Sequence, residues 1–242
     1  MGPGRWTLPA LLLASFEGVR LGLRTMKIEG DYQTDGYALV RGMIPPEVAR
    51  AFMTMFKNDL PPGPLPSPNY SAPILRRPTV DVYGNRYPPM RTFLWALTPA
   101  MEQVVGKSLL PTYDYFRLYR EGDICKVHRD RPACEHSLSL TLDYSDGAPW
   151  ALEIGKEGLD GPDDIFTDDF AGEQNAALAM QIGDGVAYRG VEHRHGRTQP
   201  NPNGWSAHLF MHWVDRDGPF AEEAFDKTGD MPPVNFTFSD QE

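Results

Sequence analysis

From Thr112 onward, the chain consists of short runs in which apolar and polar residues alternate, separated by turns rich in glycine and aspartate. Alternation with a period of two is the pattern of a β-strand, because successive side chains point to opposite faces of a sheet. The clearest run is 137–144 (SLSLTLDY), and 206–214 (SAHLFMHWV) is the last strong one. Many short strands joined by tight turns are typical of a sandwich or a barrel. The pattern therefore predicts a mainly β domain.

The part of the chain before Thr112 is predicted to add helices. Pro45 and Pro46 suit the first turn of a helix, and apolar residues then recur at a spacing of three and four as far as Phe56. A second helix is predicted from Arg91 to about Gly106 on the same grounds. Between the two helices, residues 61–73 hold six prolines and are predicted to form an extended loop.

Length and the N-terminal pattern suggest where the domain lies. A chain of 242 residues, 41% of them hydrophobic, is long enough for one sizeable core. Residues 8–16 are apolar but too short to span a bilayer, and no clean cleavage site of a signal peptide follows them. We therefore expect an N-terminal extension over residues 1–25, then one domain over 26–242 whose metal-binding core spans about 112–215.

Charge and cysteine content narrow the class of protein. The net charge is −10 with a pI near 5.1, and the sequence has no basic cluster of the kind that binds nucleic acid. An acidic chain is also not drawn to anionic membranes. The two cysteines, Cys125 and Cys134, do not suggest a disulfide framework and suit a reducing compartment. We expect a cytoplasmic protein with neither a nucleic-acid nor a membrane partner.

The histidines point to a metal site. All six lie after residue 127, and His128 is separated from Asp130 by one residue. On an extended strand, these two side chains would point to the same side. A further imidazole from a distant strand would complete one triangular face around a metal. Two imidazoles and one carboxylate, with the opposite face open, are the ligands of mononuclear non-haem Fe(II) oxygenases.

The third ligand is predicted to come from His193 or His195. Alternation cannot separate them, because both point to the same side of an extended segment. We favour His193, since it would end a strand over 188–192 before a turn at Gly196. His195 would then lie outside the metal shell or face the substrate, and Arg131 is the other residue predicted to contact substrate.

Several motifs occur in an order that resembles the 2-oxoglutarate/Fe(II)-dependent dioxygenase superfamily, with its prolyl-4-hydroxylase-like branch the nearest in appearance. They are Tyr119-x-x-Gly122, His128-x-Asp130, Gly183-Asp184-Gly185, Tyr188-Arg189-Gly190, Glu192-His193 and the closing Phe210-Met211-His212-Trp213. The resemblance covers roughly residues 32–215. It implies a double-stranded β-helix, a cupin-like jelly roll with N-terminal helices packed on one sheet.

The resemblance also implies an activity. Fe(II) and the co-substrate 2-oxoglutarate would activate O₂, with ascorbate as a reductant, to hydroxylate a small molecule or an amino-acid or peptidyl substrate. Asp130, where a glycine or alanine would leave room for a halide, favours hydroxylation over halogenation. Two alternatives stay open: a cupin-like metalloenzyme that does not use 2-oxoglutarate, and a jelly-roll binding module without catalysis.

The sequence departs from the family pattern at the residue that would bind the far carboxylate of 2-oxoglutarate. Most members have an arginine or lysine about ten residues after the distal histidine, and residues 201–206 (NPNGWS) contain no cation. A buried carboxylate without donors is costly, so another group must bind it. Arg197 is the first candidate, because a guanidinium can bind a carboxylate with two hydrogen bonds. The other candidates for binding this co-substrate are Tyr119, Ser206 and His208.

Overall fold

The computed structural model describes residues 26–59, 73–160 and 165–226. The predicted extension over residues 1–25 lies outside the described residues. So does nearly all of the proline-rich segment.

Eleven strands of the described chain form two sheets. The strands are β1 (Lys27–Glu29), β2 (Tyr37–Arg41), β3 (Val80–Tyr83), β4 (Leu109–Arg120), β5 (Cys125–His128), β6 (His136–Tyr144), β7 (Leu152–Gly158), β8 (Asn175–Leu178), β9 (Gly185–Tyr188), β10 (His193–Arg197) and β11 (Trp205–Asp215). The major sheet has the order β1-β2-β9-β6-β11-β4-β3, and the minor sheet has the order β5-β10-β7-β8. Neighbouring strands are antiparallel in both sheets.

Three helices accompany the sheets: α1 (Tyr32–Asp35), α2 (Pro46–Asp59) and α3 (Pro89–Val105). Both helices expected from the sequence are therefore present, and α3 ends at Gly106, whose φ of 74° is favourable for glycine. Short 3-10 turns follow at Pro132–Cys134 and Ala221–Glu223. In the described ranges, no helix combines the length and the apolar character needed to cross a membrane.

Strand β6 lies between two buried layers. Leu138, Leu140 and Leu142 pack into the cluster that joins the major sheet to α2 and α3. The alternate residues, Ser137, Ser139 and Thr141, point to the opposite face and are also fully buried. On that inner face, Val186 and Tyr188 of β9 pack against β7 of the minor sheet. The helices thus cover one face of the major sheet and the minor sheet covers the other, as expected.

Residues 155–160 and 165–173, the described parts of an acidic segment, pack against the minor sheet. Strand β7 extends through Gly158, and Phe170 is only 5% exposed. Thr167 exchanges backbone hydrogen bonds with Val127 of β5, which adds a short contact to the edge of the minor sheet. These paired and apolar residues tie the described parts of the segment to the sheet.

Candidate metal centre and anion pocket

His128, Asp130 and His195 meet at the end of the minor sheet. His195 lies opposite His128 in the pairing of β10 with β5, and their ring centroids are 4.5 Å apart. The His128 Nε2 atom lies 3.5 Å from Asp130 Oδ1, and His195 Nε2 lies 3.4 Å from Asp130 Oδ2. One potential ligand atom from each of the three residues lies within 4.8 Å of the other two. The three side chains can therefore bind one metal ion.

Backbone carbonyls fix the tautomer of both histidines. His128 Nδ1 lies 2.8 Å from the carbonyl oxygen of Lys126, and His195 Nδ1 lies 2.9 Å from that of His193. A carbonyl oxygen can only accept, so each Nδ1 must carry the proton and donate. In a neutral ring, the lone pair then lies on Nε2, the nitrogen nearest Asp130. Outer hydrogen bonds of this kind orient metal-binding imidazoles in proteins.

Asp130 packs closely against Gly190 in a polar environment. Its backbone N–H donates to the carbonyl of Gly190 at 2.9 Å. A Cβ on Gly190 would lie 2.5 Å from Asp130 Oδ2, so this close approach needs glycine. Burial acts to raise the pKa of Asp130, but His195 and His128, when they are protonated in the absence of a metal, outweigh it through charge and hydrogen bonding and hold the pKa well below its usual range. The carboxylate is therefore ionised and suited to bind a cation.

The structure places His193 elsewhere and so does not support the preference for it over His195. Strand β9 ends at Tyr188, a turn follows, and His193 begins β10 instead of ending the preceding strand. Its Nδ1–H donates to the carbonyl oxygen of Gly155 at 2.9 Å. Its Nε2 faces Gly36, and a Cβ atom added to that glycine would lie 2.1 Å from Nε2. An irregularity between positions 193 and 195 interrupts the pairing with β7, so simple alternation fails here.

A cavity leads from the metal ligands into the space between the sheets. It is lined by the three ligand candidates together with Ile74, Tyr115, Arg117, Tyr119, Cys125, Leu152, Tyr188, Arg197 and Phe210. The open volume is about 20 Å³, which is room for about one water molecule. A five-carbon dicarboxylate such as 2-oxoglutarate would therefore enter only if lining side chains move.

Arg197 lies at the inner end of this cavity. It is 1% exposed and follows His195 by two positions on β10. One guanidinium nitrogen donates to Ser139 Oγ at 3.2 Å, while Nε is buried without a hydrogen-bond partner among the described residues. Trp150, Tyr119 and Phe210 surround the guanidinium, with ring centroids 5.0, 5.7 and 6.0 Å from its central carbon. The other arginine of the cavity, Arg117, already forms a two-pronged ion pair with Asp81.

Two of the other three co-substrate candidates lie beside Arg197. The Tyr119 hydroxyl and His208 Nε2 are buried, and within the described ranges neither makes a hydrogen bond. Burial first, and then the charge of Arg197, lower the pKa of His208 well below its usual value, so its ring is neutral. Ser206 differs, because its hydroxyl donates to Asn201 Oδ1 at 2.7 Å and accepts from Asn203 Nδ2 at 3.3 Å.

Arg131 lies outside the cavity lining. Its guanidinium carbon is 4.3 Å from the ring centroid of Tyr113, and one of its nitrogens is 3.5 Å from Asp226. The side chain is 50% exposed. Arg131 therefore adjoins Asp130 in sequence and stacks on an aromatic ring, and its predicted contact with substrate stays a prediction.

Sequence reasoning missed the polar inner face of β6. Ser137 Oγ lies 3.4 Å from Asp130 Oδ2, and Ser139 contacts Arg197. A signal was present, since SLSLTL alternates leucine with hydroxyl residues and with nothing larger or charged. Such alternation usually indicates a solvated face, and only the packing of the minor sheet shows that this face is buried.

The comparisons with known proteins support this architecture. No family model and no curated protein sequence matches the chain. Among solved structures, the epimerase SnoN in complex with Fe³⁺, α-ketoglutarate and nogalamycin RO is similar over 84% of this chain and 90% of its own, with a TM-score of 0.60 and 14% identity. A prolyl-4-hydroxylase from Pseudomonas putida is similar over 78% of this chain and 96% of its own, with a TM-score of 0.51 and 17% identity.

A third similar structure is HygX from Streptomyces hygroscopicus with nickel, 2-oxoglutarate and hygromycin B bound. The similarity covers 77% of this chain and 85% of HygX, with a TM-score of 0.56 and 12% identity. The chain has the fold of 2-oxoglutarate/Fe(II)-dependent oxygenases. The predicted jelly roll, and the resemblance to this superfamily at the level of the fold, are therefore confirmed.

Proposed function

We propose that this protein is an Fe(II)- and 2-oxoglutarate-dependent oxygenase that binds the metal through His128, Asp130 and His195. The observation that carries the proposal is the pairing of this triad with a buried arginine in one cavity. The fold makes such chemistry accessible but does not assign it, since one fold hosts many functions. The assignment therefore depends on the donor atoms.

The metal end has the donor set expected for Fe(II). Two Nε2 lone pairs and one ionised carboxylate approach a common point, and no thiolate belongs to this group. Imidazole and carboxylate suit Fe(II) better than a set of sulfur or purely oxygen ligands. Cys125 also lines the cavity, but burial raises the pKa of its thiol, which keeps it protonated and a poor ligand.

The arginine end has the donor set expected for a carboxylate. Arg197 Nε, the Tyr119 hydroxyl and His208 Nε2 are all buried, and none has a hydrogen-bond partner in the part of the chain that the structure describes. Buried polar groups are seldom unpartnered in native proteins, so such a cluster favours a bound polar ligand. A guanidinium and a hydroxyl are strong donors to a carboxylate. We assign Arg197 and Tyr119 to the far carboxylate of 2-oxoglutarate, with His208 beside them.

Bound Fe(II) and 2-oxoglutarate would supply the oxidative decarboxylation that activates O₂. The chain's residues have other tasks. His128, Asp130 and His195 hold the metal on one side, and Arg197 sets the orientation of the dicarboxylate along the cavity. The aromatic walls around Arg197 exclude water and so strengthen its attraction for a carboxylate.

For the reaction, we propose hydroxylation of a small molecule, with an amino-acid or peptidyl group as one option. The similar structures SnoN and HygX were determined with nogalamycin RO and hygromycin B respectively, which favours a small-molecule substrate. SnoN is an epimerase, so this fold also supports outcomes other than hydroxylation. Asp130 completes a three-residue ligand set and leaves no position for a halide in place of the carboxylate.

The test is to add Fe(II) and 2-oxoglutarate to the purified protein under nitrogen and to record the visible spectrum. We expect a charge-transfer band on addition of 2-oxoglutarate, and then slow formation of succinate, without a substrate, when oxygen and ascorbate are admitted. Metal binding without a band or succinate would instead favour a metalloenzyme that does not use 2-oxoglutarate. Failure to bind Fe(II) would favour a non-catalytic module.

A further inference from the structure

The inner face of β6 presents a row of three buried hydroxyls, Ser137, Ser139 and Thr141, at successive inward positions. Each lies beside a different group of the site. Ser137 is near Asp130, Ser139 is bonded to Arg197, and Thr141 Oγ1 is 3.4 Å from His208 Nδ1. The opposite face of the strand is fixed by three leucines in the core beneath the helices. The strand is therefore anchored independently of the cavity.

Ser137 connects the metal end to β11. Its Oγ lies 2.9 Å from His212 Nδ1, 3.3 Å from the carbonyl oxygen of Cys134 and 3.4 Å from Asp130 Oδ2. His212 is fully buried, with its ring stacked on Tyr113 at a centroid distance of 4.5 Å. Such a ring has little freedom to move, so it can hold the serine hydroxyl in place. When His212 Nδ1–H donates to Ser137, the serine keeps its own hydrogen to donate, and the Asp130 carboxylate, which is charged, is a stronger acceptor than the Cys134 carbonyl.

Ser139 has the corresponding role at the inner end of the cavity. Its hydroxyl accepts from a terminal nitrogen of Arg197, two residues along β6 from Ser137. The neighbouring aromatic rings contact the guanidinium but offer no strong acceptor to orient it within its plane. Among the described residues, the Ser139 hydroxyl is thus the hydrogen-bond acceptor that sets the rotation of the guanidinium group.

We propose that β6 positions both ends of the site separately, with Ser137 orienting the carboxylate of Asp130 and Ser139 orienting the guanidinium of Arg197. The two serines are positioning residues and do not themselves contact the metal or the dicarboxylate. This inference rests on the proposed function, since it assumes that the two ends bind a metal and 2-oxoglutarate. It adds that the two binding events depend on different residues of one strand.

The experiment compares Ser137→Ala with Ser139→Ala, each serving as the matched control of the other. Co(II) affinity is measured by visible absorption, and 2-oxoglutarate affinity by calorimetry on protein saturated with Co(II). Ser137→Ala should weaken Co(II) binding by about 10-fold, the lower end of the effect of losing an outer contact to a metal ligand, and leave 2-oxoglutarate binding nearly unchanged. Ser139→Ala should weaken 2-oxoglutarate binding by roughly 10-fold and leave Co(II) binding nearly unchanged.

A merely structural role predicts a different pattern. If both substitutions weakened both affinities equally, or neither had an effect, the proposal would be overturned. Ser137→Thr and Ser139→Thr keep the hydroxyl and should restore most of the lost affinity, whereas failure to do so in a folded variant contradicts the proposal. A wild-type protein that binds no Co(II) would refute the proposed function and the inference together. Normal binding with unaltered variants would refute the inference alone.

Discussion

The two ends of the cavity differ in how their polar atoms are satisfied. At the metal end, backbone carbonyls engage Nδ1 of both His128 and His195, and the backbone of Gly190 accepts from Asp130. At the arginine end, polar atoms of Arg197 and Tyr119 are buried without a partner within the described residues. The first end is oriented by the backbone, so its geometry follows from the fold. The second depends on side chains and has polar atoms, unpartnered among the described residues, that a bound ligand would satisfy.

This difference predicts separate responses to mutation. Changes at the metal end should act on metal binding, and changes at the arginine end should act on 2-oxoglutarate binding by metal-loaded protein. If a change at one end altered both metal affinity and 2-oxoglutarate affinity, the two ends would not be independent. The following four predictions run from the largest expected effect to the smallest.

Replacing each histidine in turn by alanine tests whether His195 or His193 is the metal ligand. His195→Ala should lower Co(II) affinity by more than the ~10–100-fold of an outer-contact mutation, because a direct ligand is lost. His193→Ala should leave Co(II) affinity unchanged and lower the melting temperature by a few degrees, about the effect of losing one buried hydrogen bond. Metal titration and thermal unfolding of both variants check this. The reverse pattern would reinstate His193 as the ligand.

At the other end, Arg197→Gln should weaken 2-oxoglutarate binding by roughly 10–100-fold, since charge-assisted hydrogen bonds to the carboxylate are lost. Co(II) affinity should not change. Arg197→Lys should give an intermediate loss, because lysine keeps the charge without the planar fork. Arg131→Gln is the control, since this arginine is half exposed and does not line the cavity. Equal affinity of the Arg197→Gln variant and the wild type would remove Arg197 from the site.

A smaller change in 2-oxoglutarate affinity should distinguish the role of Tyr119 from that of Ser206. Tyr119→Phe deletes a hydroxyl that is free to donate, and we expect about a 5-fold loss of 2-oxoglutarate affinity, the size of a single hydrogen bond. Ser206→Ala should have no effect on this affinity, because its hydroxyl is engaged by Asn201 and Asn203. Calorimetry on metal-saturated protein measures both. A loss with Ser206→Ala and none with Tyr119→Phe would exchange their roles.

The smallest effect concerns pH. The pKa of His208 is held well below its usual value by burial and by Arg197, so the ring stays neutral between pH 8 and pH 6. The affinity of metal-saturated protein for the 2-oxoglutarate dianion should therefore stay flat over this range. A histidine with an ordinary pKa would gain a positive charge as the pH falls through about 6.5 and would tighten binding. An increase in affinity at pH 6 that disappears in His208→Gln would contradict the prediction.

Much of the architecture could be predicted because its signals are local. Alternation of apolar and polar residues predicted the strands of the second half of the chain. The spacing of apolar residues predicted α2 and α3, with N-terminal ends correct to within two or three residues. His128 and Asp130 could be paired because their spacing spans a single strand end. Composition, in contrast, does not show that Phe170 is buried or that Glu173 pairs with Arg194.

The sequence by itself determined which residue types were available: two imidazoles and a carboxylate in order, an arginine after them, and alternating runs that can form two sheets. Only the tertiary structure separates His193 from His195 as candidate ligands. The two residues lie on the same strand, and alternation alone would point both side chains to the same face. An irregularity in the pairing of β10 with β7 separates them, so that the His193 ring lies beside Gly36 and the His195 ring lies beside Asp130. Such a choice depends on contacts between residues far apart in the chain, which no local pattern encodes.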